Sequence, residues 1–143
     1  MEPWKIQAVL AALFAGLTSV LAKSGMTALG ADLALGVRTL VVFVLITANI
    51  VFLPNQQSVA ALRHIPSRDL WMLVLSGATA ALSWIFYFRA VRTGTVSYVA
   101  LIDKGSILIT LLLSFLILKE PITPKVACGA VLILAGIITL TYK

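Results

Sequence analysis

The chain has 143 residues, of which 61% are hydrophobic and only 11% charged, and its mean hydropathy is +1.08. A soluble domain carries about 25% charged residues, so this composition excludes an ordinary water-soluble fold and describes a membrane protein. The formal net charge of +6 does not point to nucleic acid, because no basic stripe is interleaved with exposed aromatics and the cations lie mostly between apolar runs, where anionic headgroups attract them.

A hydrocarbon core about 30 Å thick requires roughly 20 apolar residues in a helix, with about 17 to 25 tolerated. Five segments satisfy this, at about residues 4–27, 33–53, 70–88, 95–118 and 126–142. The expected fold is therefore an all-α integral membrane protein, a bundle of five transmembrane helices in one domain spanning residues 1–143. The first segment follows Lys5 and begins like a signal peptide. Its apolar stretch, 6–22, is 17 residues long, and Lys23 stands where a small-residue cleavage site belongs, so it reads as a retained span. Gly25, Gly30 and Asp32 break it from the second span, and Pro54-Asn55-Gln56 ends the second. The connection at 54–69 is the one loop of any length; residues 58–63 are expected to form a short interfacial turn under Arg63, His64 and Arg68, with His64 as a solvated neighbour. Gly94 divides the third span from the fourth, and Pro121 and Pro124 divide the fourth from the fifth. Loops this short leave no room for a soluble catalytic domain. The single cysteine, Cys128, has no partner for an internal disulfide or a metal cluster. With no paired His or Cys, and no Ser, His and Asp at one depth, neither catalytic residues, metal nor cofactor are expected.

Small residues recur along the first span (Ala8, Ala12, Gly16), the third (Gly77, Ala81) and the fifth (Gly129, Gly136). Such faces allow helix backbones to approach closely in lipid.

Five spans place the termini on opposite faces, and the balance of Lys and Arg in short loops normally selects the orientation. On the N-terminal face the count is five, Lys5, Arg63, Arg68, Lys119 and Lys125; on the other it is also five, Lys23, Arg38, Arg89, Arg92 and Lys143. One reading is dual topology, in which two copies pair antiparallel and reproduce from one sequence the inverted-repeat symmetry of many secondary transporters. The other discounts Lys23 and Arg38 as intrahelical and leaves the N-terminal face cytoplasmic.

Asp103 and Lys104 interrupt the fourth apolar run about eight residues in, roughly 12 Å along the axis at about 1.5 Å per residue, near mid-bilayer. Charge at a helix centre costs about 2.5–3.5 kcal/mol on the insertion scale, so such residues face protein or a water-filled path. Adjacent helical residues point about 100° apart and do not face each other, so each is expected to seek another helix or a partner chain. The pair is read as substrate-binding or coupling residues, with an interhelical polar clamp as the alternative. Tyr98, Trp84 and Ser106 are candidate neighbours, since aromatic walls with a few hydroxyls suit a ligand pocket. Trp4, Trp71 and Tyr142 lie at span ends, where an interfacial aromatic belt is expected, and Tyr87 beside Arg89 reads the same way. Lys23 and Arg38 are candidate anion contacts or a gate; the competing reading is that both snorkel to the interface. Glu120, between Lys119 and Pro121, reads as a solvated cap.

The run Phe86-Tyr87-Phe88-Arg89-Ala90-Val91-Arg92-Thr93-Gly94, then Val99-Ala100-Leu101-Ile102-Asp103-Lys104-Gly105-Ser106, then Leu116-Ile117-Leu118-Lys119-Glu120-Pro121-Ile122-Thr123, resembles the second half of an EamA domain. So does Gly129-Ala130-Val131-Leu132-Ile133-Leu134-Ala135-Gly136, and a looser match at Lys23 and Arg38 extends the resemblance over the whole chain. The EamA domain is the repeat unit of the drug/metabolite transporter superfamily. Full-length members resemble two five-helix units fused in opposite orientations, so this chain looks like a half-size member, one repeat of an inverted-repeat transporter. The resemblance implies a ten-helix working unit made by two chains, with the first, third and fourth helices of each lining a central cavity.

The function this implies is secondary transport of a small organic solute or metabolite by alternating access at a midplane site, with proton coupling open to Asp103. The partners expected are the small-molecule substrate, the lipid bilayer and a second copy of the chain in a homodimer. The membrane expected is the plasma membrane or a bacterial inner membrane. Alternatives are a small multidrug exporter or a subunit of a lipid-linked sugar translocator, and a non-transporting membrane assembly subunit. A drug exporter of that kind is expected to carry a Glu in its first helix, and no acidic residue lies between Lys5 and Lys23.

The balanced charge count is testable. Adding one lysine at either terminus is expected to drive the chain largely into one orientation, read by labelling of terminal cysteines from each side of the membrane; a chain with a fixed orientation would ignore both additions.

Overall fold

The computed structural model describes residues 2–52 and 65–141. The interfacial turn expected at 58–63, His64, and the terminal Tyr142 and Lys143 lie outside the described residues. Of the described residues 87% are helical, with no strand among them. Four helical segments are long and apolar enough to cross a membrane, and a fifth apolar helix is shorter.

Helix α1 (Pro3–Gly25) begins with proline at its first position, where the missing N–H is no loss. Glu2, Trp4 and Lys5 form a polar cluster there: the Trp4 indole N–H donates to the Glu2 carboxylate at 2.9 Å, and the Lys5 ammonium lies 3.1 Å from the same carboxylate. An indole held to a charged group fits the expected interfacial anchor. The helix ends at Gly25, two residues before the expected limit, and the N–H of Met26 closes its last turn onto the carbonyls of Ala22 and Lys23. Helix α2 (Ala31–Phe52) starts behind Gly30, whose carbonyl accepts from the Ala34 N–H. Helix α3 (Ser67–Thr93) is longer than the 70–88 expected. Pro66 opens it, accepting from the N–H groups of Asp69 and Leu70, and Asp69 in its first turn complements the helix dipole. Its far end continues to Thr93 because nothing between Phe88 and Gly94 breaks a helix.

The fourth span departs most from the sequence expectation of one continuous helix at 95–118. It consists of α4 (Val96–Asp103), α5 (Ser106–Leu113) and a π-helical segment (Ser114–Leu118). Between α4 and α5 the backbone bonds tighten: Gly105 donates to Ile102, Ile107 to Lys104 and Leu108 to Gly105. These are three-residue steps, with Lys104 at φ −63°, ψ −14° and Gly105 at φ −58°, ψ −22°, the geometry of a short 3₁₀ turn. The span ends at Lys119, whose left-handed φ of 55° and ψ of 31° stop the helix. The carbonyl of Ser114 accepts from the N–H groups of both Lys119 and Glu120, satisfying an end carbonyl that lipid cannot hydrate. Helix α6 (Pro124–Thr141) begins with proline, and the hydroxyl of the preceding Thr123 accepts a long bond of 3.4 Å from the Val126 N–H, an N-terminal cap.

Hydroxyls along the spans are satisfied locally. Thr18, Ser19, Thr39, Thr110 and Thr139 each donate to the carbonyl four residues earlier, and Thr79 to that of Leu75. An apolar environment therefore meets few bare hydroxyl donors.

The chain divides into two compact units, Leu21–Arg92, and Met1–Val20 with Thr93–Lys143. The buried hydrophobic residues, Met26, Ala31, Leu35, Phe88 and Val91, all belong to Leu21–Arg92. On α2, Ala31 and Leu35 are four residues apart, and on α3, Phe88 and Val91 are three apart, so each pair occupies one helical face. Within the other unit, α6 lies against both α4 and α5. Most remaining apolar side chains are exposed, among them Phe43, Leu116 and Leu132, as expected of helices whose solvent is lipid.

A Cβ on Gly105 would lie 2.9 Å from the Ile102 carbonyl oxygen and 3.5 Å from Ile137 Cδ1. Gly105→Ala is therefore expected to destabilise the protein by about 1–3 kcal/mol through overpacking, lowering its thermal midpoint in detergent. Gly136→Ala, whose Cβ meets nothing within 4 Å, should leave the midpoint unchanged or higher. Equal losses for the two would sink the close-contact account.

Candidate functional site

The candidate residues fall in both units, and each unit is described by itself. In the unit containing the fourth span, Asp103 is the last residue of α4 and Lys104 the first beyond it. The Lys104 ammonium lies 3.9 Å from the Asp103 carboxylate, although neighbouring residues on a regular helix were expected to diverge. The tightened turn at Lys104 departs from that regular geometry. The contact is long, and the side chains are 56% exposed for Lys104 and 39% for Asp103. It leaves the carboxylate's hydrogen-bonding capacity largely open.

Ser106 follows Asp103 by three residues across the 3₁₀ turn, close to one full revolution at about 3.0 residues per turn, so the two share a face. Tyr98 does not join them through the helix: it precedes Asp103 by five residues, about 140° round the axis at about 3.6 residues per turn, and it is exposed. At the end of the span the Ser114 hydroxyl donates to the Glu120 carboxylate at 3.0 Å. Glu120 thus closes the π-helical segment, a more definite role than the solvated cap expected for it.

In the Leu21–Arg92 unit the polar groups gather where α1 and α3 end and α2 begins. The Lys23 ammonium donates to the carbonyls of Val91 at 2.7 Å and Arg92 at 2.8 Å. A cation at the last carbonyls of a helix satisfies orphan acceptors and complements the negative end of the dipole. Lys23 is therefore engaged with protein backbone instead of reaching freely to the interface. Arg89 grips Asp32 with two bonds, Nε to Oδ1 at 2.9 Å and Nη2 to Oδ2 at 3.1 Å, the forked geometry that suits guanidinium and carboxylate. Arg92 approaches the backbone at Gly30 so closely that a Cβ there would lie 3.1 Å from Nη1.

Arg38 behaves differently. Its guanidinium carbon lies 4.5 Å from the centre of the Trp84 ring and 5.6 Å from that of Phe88, positions in which the ring faces attract a cation. Its Nη1 is buried with no hydrogen-bond partner. The unit thus brings Arg38 and Trp84 together, while Lys23 goes to the end of α3.

Sequence reasoning missed Phe88, the Asp32–Arg89 pair and the bond from Ser114 to Glu120. A signal for the first existed: Trp84, Phe88 and Val91 stand at i, i+4 and i+7 on α3, and Ala31, Leu35 and Arg38 have the same spacing on α2, which marks one face of each helix. The pair of Asp32 with Arg89 joins residues 57 apart in sequence, and no local pattern announces such a pairing.

Residues 3–142 match the family described as the EamA-like transporter family. The chain is also 34% identical over 139 residues to a protein of Sinorhizobium sp named as an uncharacterized transporter in the cobO 3′ region, covering 97% of this chain and 96% of that one. No solved structure matches.

The two bonds from Lys23 make a stability prediction. Lys23→Met should destabilise the protein by about 1–3 kcal/mol, the usual range for removing a charged hydrogen-bond donor, read as a lower thermal midpoint in detergent. An unchanged midpoint would mean that the end of α3 does not need this donor.

Proposed function

Since the chain belongs to the EamA-like transporter family and is a multi-pass membrane protein and a transporter rather than an enzyme, we propose that it carries a small organic solute or metabolite across a cell membrane by alternating access. The observation that carries this reading is the interruption of the fourth span at Lys104 and Gly105, directly after Asp103. Substrate and coupling-ion sites in secondary transporters are commonly built where membrane helices are irregular; here the 3₁₀ turn keeps its backbone bonds, so the polarity it offers comes from side chains. At this point the chain also places its one acidic residue between Thr95 and Leu118.

In this reading Asp103 and Ser106 bind the solute or a proton, and Lys104 balances the carboxylate. Two copies, inserted antiparallel, form the working unit. The equal count of cations on the two faces supports this arrangement, since it removes the usual bias toward one orientation. The setting is the plasma membrane or a bacterial inner membrane.

Purified protein in liposomes tests the proposal against a panel of amino acids, organic acids and amines. Asp103→Asn is expected to reduce flux by at least about tenfold, equivalent to about 1.4 kcal/mol, while dimer mass by light scattering stays as in the parent. Flux and coupling both intact in Asp103→Asn would remove Asp103 from the mechanism. Absence of flux for every solute with the parent chain alone would favour a subunit that assembles with a partner.

A further inference from the structure

We propose that Arg38, resting on Trp84, is an anion-binding element, and that the ligand it takes carries a carboxylate or phosphate group. The inference rests on the transporter reading only for the idea that this ligand is cargo.

The depth of the guanidinium is the first reason. The Lys23 ammonium marks the end of α3, at the carbonyls of Val91 and Arg92. Trp84 precedes Val91 by seven residues, about 10 Å further from that end at about 1.5 Å per residue. The Arg38 guanidinium lies 4.5 Å from the Trp84 ring centre, so it stays at the depth of Trp84 and does not reach the end of α3. A side chain that snorkels extends toward the nearer interface instead.

The second reason is charge. The carboxylates described in this unit are Asp32 and Asp69. Asp32 is gripped by Arg89 through both oxygens, and Asp69 stands in the first turn of α3, 15 residues before Trp84 in sequence. Four cations, Lys23, Arg38, Arg89 and Arg92, therefore meet one carboxylate at this end. Lys23 and Arg89 are taken up by backbone carbonyls and by Asp32.

The third reason is the orphaned donor. Nη1 is buried without a hydrogen-bond partner, an unfavourable state for a charged donor in apolar surroundings. The ring faces orient the guanidinium but accept no conventional hydrogen bond from Nη1. A guanidinium held near the Trp84 ring with Nη1 lacking an acceptor can offer that nitrogen's N–H groups to a carboxylate or phosphate. Because Nη1 is covered, an arriving anion must displace the cover, and Trp84 will report the change.

The anion can be a soluble solute or the headgroup of an anionic lipid, and the experiment separates them. A variant with Trp4 and Trp71 replaced by Phe leaves Trp84 as the one tryptophan, excited selectively over the tyrosines. In nanodiscs of phosphatidylcholine it is titrated with benzoate and with inorganic phosphate; in parallel, phosphatidylglycerol is added to the nanodiscs with no soluble anion. A saturable change of Trp84 emission in the first arm identifies a solute site, and one confined to the second identifies a lipid site. In either case Arg38→Gln should weaken apparent binding by at least about tenfold, the loss expected for a charge-assisted fork. Arg38→Lys keeps the charge without the fork and should fall between, which guards against a Gln variant that merely fails to fold. No saturable change in either arm, or equal binding in the parent and both variants, overturns the proposal. Binding that survives in a protein with no liposome flux would sink the transport reading and leave this site standing.

Discussion

The ammonium of Lys23, donating to the last carbonyls of α3, answers the constraint to which every helix end in lipid is subject. A helix finishes with four carbonyls that its own backbone cannot satisfy, and no water is available in the hydrocarbon to do so. Here the donor comes from the end of α1, 68 residues away in sequence. That tie lies beside the residues buried in the same unit, Met26, Ala31, Leu35, Phe88 and Val91. Asp32 and Arg89 clamp the start of α2 to the end of α3 by the same logic, with opposite charges placed at the helix ends whose dipoles favour them.

The fourth span satisfies the constraint by local means. Its 3₁₀ turn, π-helical segment and left-handed Lys119 each redirect backbone bonds over a few residues, and the carbonyl of Ser114 takes two donors at once. The result places a carboxylate and an ammonium at a point where the regular helix is interrupted. Irregular backbone within a membrane is tolerated where protein or a water-filled cavity covers it, and the proposal of a transport site on this span, not on the regular helices α2 or α3, starts from that irregularity. Gly105 permits the tight turn because no side chain has to fit beside the Ile102 carbonyl.

The two basic residues grouped by sequence, Lys23 and Arg38, have different physical situations. Lys23 is a structural donor to backbone. Arg38 lies near the aromatic rings of Trp84 and Phe88 with Nη1 left without an acceptor, the observation from which the anion site is proposed. Their shared charge concealed the distinction, since the neighbours that separate them stand on α3, more than forty residues later in the chain.

The fold class was legible in the residues themselves, because an apolar stretch long enough to cross a bilayer needs no partner to become a helix there: composition and length marked the spans, and proline and glycine marked most of the breaks. Asp103 and Lys104 were legible for the same reason, as charge stands out against lipid-compatible sequence. Tertiary structure decided which charges are engaged and which are not. The pairing of Arg89 with Asp32, the reach of Lys23 to Val91 and the seating of Arg38 on Trp84 depend on helix ends brought together from distant parts of the chain. A hydrogen bond requires atoms within about 3 Å of each other, and helical periodicity orders residues only along their own helix.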